Sequence, residues 1–583
     1  MRPNTLALIV LLVGLQAAHA DPYRDLYPDT WVATDALGRE LPGYDQCGPP
    51  EANKTVGIFY FLWLGQHGTQ GPFDITEILR KDPNNPQYGL VHSHHHWGKP
   101  ELGYYTSDSR YVVRKHARIL SDAGIDTLLF DVTNAITYRP TYMLLCEEFA
   151  KLRKVGQHTP SIVFFTHSAP DKTITKLYTE FYSRGLHRDL WFSWKGKPLI
   201  LGKPTKLPAK IRNFFTIRDC WAWSHGKDRW QWLDHYPQKY AWHEDPNKPE
   251  EASVCIAQHA TTNLGRSNFG GKQPPVNGMC IAADTHKGLY FAQQWKRALE
   301  IDPEFLFITG WNEWTAMRFI NAAGKPPNNM LVGKPVKPGG TYFVDAYSRE
   351  YSRDAEPMEG GHGDNYYYQM VAGIRRFKGV RKPLKASPPK AIKIDGRFSR
   401  EWDDVAPEFR DHAGDTEHRD EKGWGDEGRY INTTGRNDFV TMKVARDTEN
   451  VCFYAKTSRS ISSFRDPNWM LLFIDADQDS KTGWNGYDYV ANLQVKDRHA
   501  TSLHSLKTSK WEPKRVMDIE YAVTGSELEL AIPRDAIGFG KNAAVQLDFH
   551  WADNVQKLGD IVEFAVNGDS APQRRFNYRY SGK

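Results

Sequence analysis

The chain has 583 residues, 40% hydrophobic and 25% charged, an ordinary globular composition that excludes disorder as its dominant state. Its net charge of +5 is too weak, and too evenly spread, for nucleic acid to be the main partner. The length accommodates two or three domains if one of them is a barrel.

The N-terminus reads as a signal peptide over 1–20. Met1-Arg2-Pro3 is a short positive start, 6–15 is an apolar run, and Ala18-His19-Ala20 fits the small-x-small cleavage rule. A secreted or periplasmic protein is therefore expected. No later stretch approaches about 20 apolar residues, so no membrane span is expected. The six cysteines, Cys47, Cys146, Cys220, Cys255, Cys280 and Cys452, form no CxxC pair, which argues against structural zinc. One or two disulfides stay open after export.

Residues 21–55 are rich in Pro, Gly and Asp and read as an irregular lead-in. Residues 56–64 (VGIFYFLWL) are a continuous apolar run, as in a strand buried on both faces. Helix and strand patterns then alternate: helix 111–123, strand 127–132, helix 142–154, and strands 162–167, 198–202, 214–223 and 253–258. Helix 290–300, strand 305–309, strand 342–347 and helix 365–377 follow. About eight strands in βα alternation predict a (β/α)₈ barrel over 56–380, of α/β class. A doubly wound sheet is the alternative, weakened because no glycine-rich phosphate loop follows any strand. Residues 381–392 are basic and Pro-rich, a linker. Over 393–583 short alternating strands at 437–444, 451–457, 469–474, 487–493, 516–523, 528–532 and 545–551 predict an all-β sandwich.

In such a barrel the chemistry sits at the C-terminal ends of the strands. The polar residues there are Trp63 and His67, Asp131, Thr133 and Asn134, His167, Asp219, Gln258 and His259, Trp311-Asn312-Glu313-Trp314, and Asp345. Glu313, in its Trp-Asn-Glu-Trp frame, is the sharpest catalytic candidate; a buried structural carboxylate is the bland alternative. Asp131 is the second, against a role bracing the barrel. His92, His94, His95 and His96 with Trp97 suggest a substrate-binding loop, with metal ligation as a weaker alternative because no HExxH accompanies them. No GxSxG elbow is present. Tryptophans between Trp63 and Trp314 suit the C–H faces of sugars, although some of them must be core. In the tail, Asp475, Asp477 and Asp479 form a DxDxD run able to wrap a structural calcium, without an EF-hand's Gly and Glu. Trp424, Trp469, Trp484 and Trp551 are candidates for a stacking platform, at least two of them being core.

Four blocks in order resemble glycoside hydrolase family 99, the endo-α-mannosidases: 56–65 (VGIFYFLWLG), 94–108 (HHHWGKPELGYYTSD), 111–130, and 308–314 (ITGWNEW). The resemblance covers roughly 56–380. It implies that Glu313 is the base that deprotonates the sugar 2-hydroxyl in a neighbouring-group, retaining mechanism, and that the stretch from His94 to Trp97 lines the cleft. The family's acid, three residues after its base, is replaced here by Ala316. A family Glu is replaced by His167, and a Ser-Trp-Tyr by Asp131-Val132-Thr133. α-Mannan specificity is therefore not implied. The tail is similar to a family 9 carbohydrate-binding module at 394–402, 435–447 and 473–489, in which calcium is structural.

The sequence thus reads as a secreted glycosidase acting on a complex polysaccharide or glycan, expected as a monomer and needing no catalytic cofactor. Glu313 is its base or nucleophile assistant and Asp131 its acid, with His167 second. Trp63, His94, His95, His96, Trp97, His167, Gln258, His259, Asn312 and Trp314 are expected to bind sugar. Two alternatives stand beside it: a non-catalytic glycan-binding protein on a decayed hydrolase barrel, and a metal-dependent hydrolase or lyase using the run from His92 to His96.

Overall fold

A computed structural model describes residues 23–259, 262–322, 330–331, 334–398 and 401–582. The expected signal peptide lies outside them. Eight mutually parallel strands follow one another around a nearly closed sheet. They are β1 (Thr55–Tyr60), β2 (Thr127–Val132), β3 (Ser161–Thr166), β4 (Lys197–Leu201), β5 (Thr216–Trp221), β6 (Arg229–Gln231), β7 (Glu251–Cys255) and β8 (Phe305–Thr309). β8 pairs with β1. The gap between β6 and β7 is bridged where the Gln231 amide donates to Glu251 Oε2 at 2.9 Å.

The strands form where the sequence is apolar on both pleat faces. β2 (TLLFDV) is buried at every position, as a strand covered inside and outside must be. Around the sheet run helices α1 (Arg110–Asp122), α2 (Arg139–Lys154), α3 (Pro170–Glu180), α4 (Ala209–Phe214), α5 (Leu289–Ile301) and α6 (Asn365–Lys378). α1 starts where the Ser109 hydroxyl accepts the Val112 amide at 3.2 Å.

Two expectations change. No helix separates β5 from β6 or β6 from β7, so the sheet is barrel-like without eight complete βα units. The predicted strand 342–347 is not a barrel strand. Its core, Thr341–Phe343, pairs antiparallel with Thr315–Ile320, which also pairs with His94–His96. Its apolar run packs against that small sheet instead of the barrel wall. β6, only three residues long, takes the vacant place. The six cysteines are all unpaired, and among the described residues no helix is long and apolar enough to cross a membrane.

The C-terminal part is one antiparallel sheet of 11 strands, from Phe409–Arg410 to Tyr578–Gly582. It folds over on itself: the rings of Phe453 and Phe549, from strands far apart in the sheet order, lie 5.8 Å apart. One buried apolar cluster runs through this sheet and the barrel's helices. At the seam Arg574 pairs with Glu101 at 2.6 Å and Arg575 with Asp364 at 2.7 Å. A hairpin (Arg419–Lys422 and Arg429–Asn432) reaches over the barrel and seats Trp424 against His96, ring centroids 4.7 Å apart. Trp424 is 1% exposed, and Trp469, Trp484 and Trp551 are equally buried, so these four rings fill cores and offer no stacking platform. Trp424→Ala is expected to lower unfolding free energy by about 3–5 kcal/mol, read by urea denaturation.

Candidate active site

Gly310 follows β8 directly, at φ +90°, and a Cβ there would lie 2.2 Å from the Arg353 carbonyl oxygen. Only glycine permits this close approach, and it brings the 353–354 backbone alongside Glu313. Three of the next four residues, Asn312, Glu313 and Trp314, are pinned individually. The Asn312 side chain accepts the Phe61 amide at 2.8 Å and donates to the Phe61 carbonyl at 3.2 Å, tying the end of β1 to β8. The Glu313 amide donates to Asp354 Oδ1 at 2.8 Å. Trp97 donates its indole N–H to the Glu313 carbonyl at 2.9 Å and stacks on Trp314 at 4.2 Å. Trp314 in turn donates to Glu356, which also accepts from Tyr105 and faces His116.

Glu313 Oε2 accepts from Arg353 Nη2 at 2.6 Å, and the same Nη2 lies 3.3 Å from Asp345 Oδ1. Burial pushes the Glu313 carboxyl well above the ordinary carboxylate range; the Arg353 guanidinium opposes this, while Asp345 and Asp354 reinforce it. Burial likewise pushes Asp354 up to about 6. Arg353 lies over the Trp232 ring at 4.9 Å and stays firmly protonated among these carboxylates. Three carboxylates thus crowd around one guanidinium, a setting in which burial and like charge oppose the full ionisation of the cluster and the guanidinium favours it.

Asp131 closes the same mouth from β2. It accepts from Trp63 Nε1 at 2.7 Å, the Thr133 amide at 3.0 Å and the Thr133 hydroxyl at 2.8 Å. Burial raises its pKa, the three donors lower it, and the charge of Asp345 raises it again. Asp345 therefore lies electrostatically between Asp131 and Glu313. His259 also faces Asp345 and Arg353, its pKa lowered by burial.

Aromatic rings flank this floor. On one side Trp63 stacks on Tyr138 at 5.8 Å and meets His67 and His94 edge-on. On the other, His167 stacks on Trp221 at 3.4 Å, and Trp221 touches Trp232. His167 is exposed at the rim, and Trp223, 44% exposed, packs against His235.

The structure thus gathers Glu313, Asp131, Trp63, His94, His167 and His259 at one mouth. It moves the other expected sugar ligands behind the wall. His95 is enclosed by Phe73, Tyr88 and Phe343, and His96 by Tyr104 and Trp424. Strand alternation sends the His95 ring to the face opposite His94 and His96, and His94 meets Trp63 while His96 meets Tyr104 and Trp424, so among the described residues no three of these imidazoles converge as ion ligands. Burial holds all three imidazoles neutral: His94 and His95 are pushed down to about 4 and His96 to about 3. Trp97, Asn312 and Trp314 support Glu313 from within, and Gln258 donates to the Asp234 carbonyl and the Tyr290 hydroxyl. Arg353, Asp354, Tyr138 and Trp232 complete the site without a local signal in the sequence; the loop at 351–354 has no periodicity and follows no barrel strand. Ala316 pairs with His95 and packs in an apolar cluster with Ile75, Leu79 and Phe343, away from the mouth.

In the tail, Asp475 and Asp477 converge with Asp488, with ligand atoms within 4.8 Å of one another. Asp488 takes the place expected for Asp479, whose carboxylate accepts the Lys481 amide instead. Burial and the charges of Asp548 and Asp488 push Asp475 up to about 8, a strain that a cation there would relieve.

No protein-family model matches the chain, and no curated protein sequence matches it. Among solved structures, a GH99 endo-alpha-mannosidase from Bacteroides thetaiotaomicron in complex with BIS-TRIS-propane is 16% identical. The match covers 56% of this chain and 98% of that one, with a TM-score of 0.32. A second structure of a GH99 endo-alpha-mannosidase from that organism is 17% identical over 57% of this chain and 99% of that one, with a TM-score of 0.33. At this level the likeness is one of outline only.

Proposed function

We propose that this chain is a glycoside hydrolase acting on a complex polysaccharide or glycan, with its centre at the mouth formed by β1, β2 and β8. The observation that carries the reading is the convergence of Glu313, Asp345 and Asp131 between two aromatic walls. A glycosidic bond needs a base or nucleophile and a proton donor on either side of it. Glu313, gripped by Arg353, supplies the first, and the guanidinium fixes which carboxylate oxygen stays free for the substrate. Asp131, its pKa raised by burial, supplies the second and gives its proton to the leaving oxygen. Trp63 and Tyr138, with Trp221 and His167 opposite, bind the sugar faces and hydroxyls. No catalytic cofactor enters this scheme. Asp475, Asp477 and Asp488 would hold the calcium expected for the tail, a site separate from the mouth. Export from the cell and a monomeric state remain part of the reading.

The signs of the pH dependence follow from these roles. An acid must be protonated, so turnover falls as pH rises through the Asp131 pKa; a base must be ionised, so turnover falls as pH drops through that of Glu313. Asp131→Asn is expected to reduce kcat/KM by on the order of 10²–10⁴-fold and to remove the alkaline limb, leaving the acid limb in place. An alkaline limb unchanged in this variant would assign the proton donor to another group, with Asp345, whose charge acts on both Asp131 and Glu313, the first candidate.

A further inference from the structure

A second group of carboxylates lies far from the mouth, inside the C-terminal sheet domain. Asp411 and Asp415 sit on the loop after the strand Phe409–Arg410, and Asp569 opens the strand Asp569–Ala571. Their ligand atoms lie within 4.8 Å of one another, and all three residues are buried. Asp438, also buried, borders them, holding the Gly414 amide with both oxygens at 2.9 Å.

Neighbouring groups do not neutralise this charge. Asp411 is 0% exposed, and no side chain donates to either of its carboxylate oxygens; the adjacent His412 backbone amide is the one donor that acts on it, from outside good hydrogen-bond geometry. One oxygen of Asp415 is equally unpartnered, the other accepting from Gln573. Asp569 receives the Phe439 amide at 2.6 Å and the Ser570 amide at 2.9 Å. The nearby cations are engaged elsewhere. Arg24 donates to the Asp411 main-chain carbonyl at 2.9 Å and pairs with Glu408, and His412 faces Asp122 at 3.0 Å. A buried carboxylate without a partner costs several kcal/mol, and like charges at this spacing add to that cost.

We propose that Asp411, Asp415 and Asp569 bind a divalent cation, calcium by the all-oxygen character and charge of the ligands. The bare oxygens of Asp411 face the ion, and Asp438 adds charge from its flank. The ion ties two segments of the sheet domain that are distant in sequence, the loop holding Asp411 and Asp415 and the strand opened by Asp569. It also fastens the domain to the barrel, because the same loop carries the seam: Arg118 of α1 donates to the Gly414 carbonyl at 3.1 Å and to Glu417 at 3.2 Å, and Gln157 donates to the Ala413 carbonyl. The hairpin bearing Trp424 follows directly.

The test uses the full chain carrying Asp477→Asn, which disables the separate group of Asp475, Asp477 and Asp488. Elemental analysis after dialysis into metal-free buffer is expected to find one calcium per chain. EDTA removes it and lowers the Tm by several degrees, and added calcium restores the Tm. Asp411→Asn and Asp415→Asn in that background lose the metal and the response to EDTA. If these variants do not fold, the EDTA and calcium series on Asp477→Asn decides alone. An absence of calcium there, a Tm indifferent to EDTA, or calcium retained by folded Asp411→Asn would overturn the proposal.

Discussion

Glu313→Gln is expected to abolish measurable turnover, lowering kcat by on the order of 10²–10⁴-fold while KM changes little. The amide keeps the shape of the side chain and one acceptor for Arg353 Nη2, which retains Asp345 at 3.3 Å. The surrounding frame does not depend on the carboxylate: Asn312 holds Phe61, the Glu313 amide holds Asp354, and Trp97 stacks on Trp314. What the substitution removes is the ability to take a proton or attack at the sugar. A matched loss of kcat and kcat/KM, with the far-UV spectrum and Tm close to wild type, is the expected pattern. A large rise in KM at unchanged kcat would instead make Glu313 a binding group.

Arg353→Met is expected to act first on stability. Arg353 is buried against Glu313, Asp345 and Asp354. Removing the shared cation leaves buried carboxylates uncompensated, a loss of about 3–5 kcal/mol. The sign with pH is set by Glu313, whose folded-state pKa already lies above its ordinary value and rises further without the guanidinium. A raised carboxyl pKa penalises the fold above the unfolded-state pKa and ceases to do so below it. The penalty should therefore be greatest at neutral and alkaline pH and shrink on acidification. Urea denaturation of wild type and variant across pH 4–8 reads it directly; a pH-independent difference would show that Arg353 acts by packing alone.

Asp131 and Glu313 were legible in the sequence because they end apolar runs, and strand ends in this architecture face one mouth. Their setting was not. Arg353 and Asp354 reach Glu313 only because Gly310 lets two backbones touch, a tertiary fact without a local signature. The run from His94 to His96 advertised a polar loop; the structure makes it a buried strand, with aromatic rings from residues as distant as Trp424 and Phe343 enclosing it. The apolar stretch at 342–347 looked like a barrel strand because composition does not reveal a partner, whereas Arg229–Gln231 was too short to show any period. Asp475 and Asp477 were found by spacing, but Asp488 returns from the next strand. The group at Asp411, Asp415 and Asp569 spans more of the chain than any motif can.

The central claim is that the mouth holding Glu313 and Asp131 hydrolyses glycosidic bonds. It is tested most directly by incubating the protein with a broad panel of plant, algal, microbial and host glycans beside Glu313→Gln, and separating the released sugars by chromatography. The account predicts products from at least one glycan with wild type and none with the variant. Binding to a glycan without release of any product, or equal release by both proteins, would contradict it.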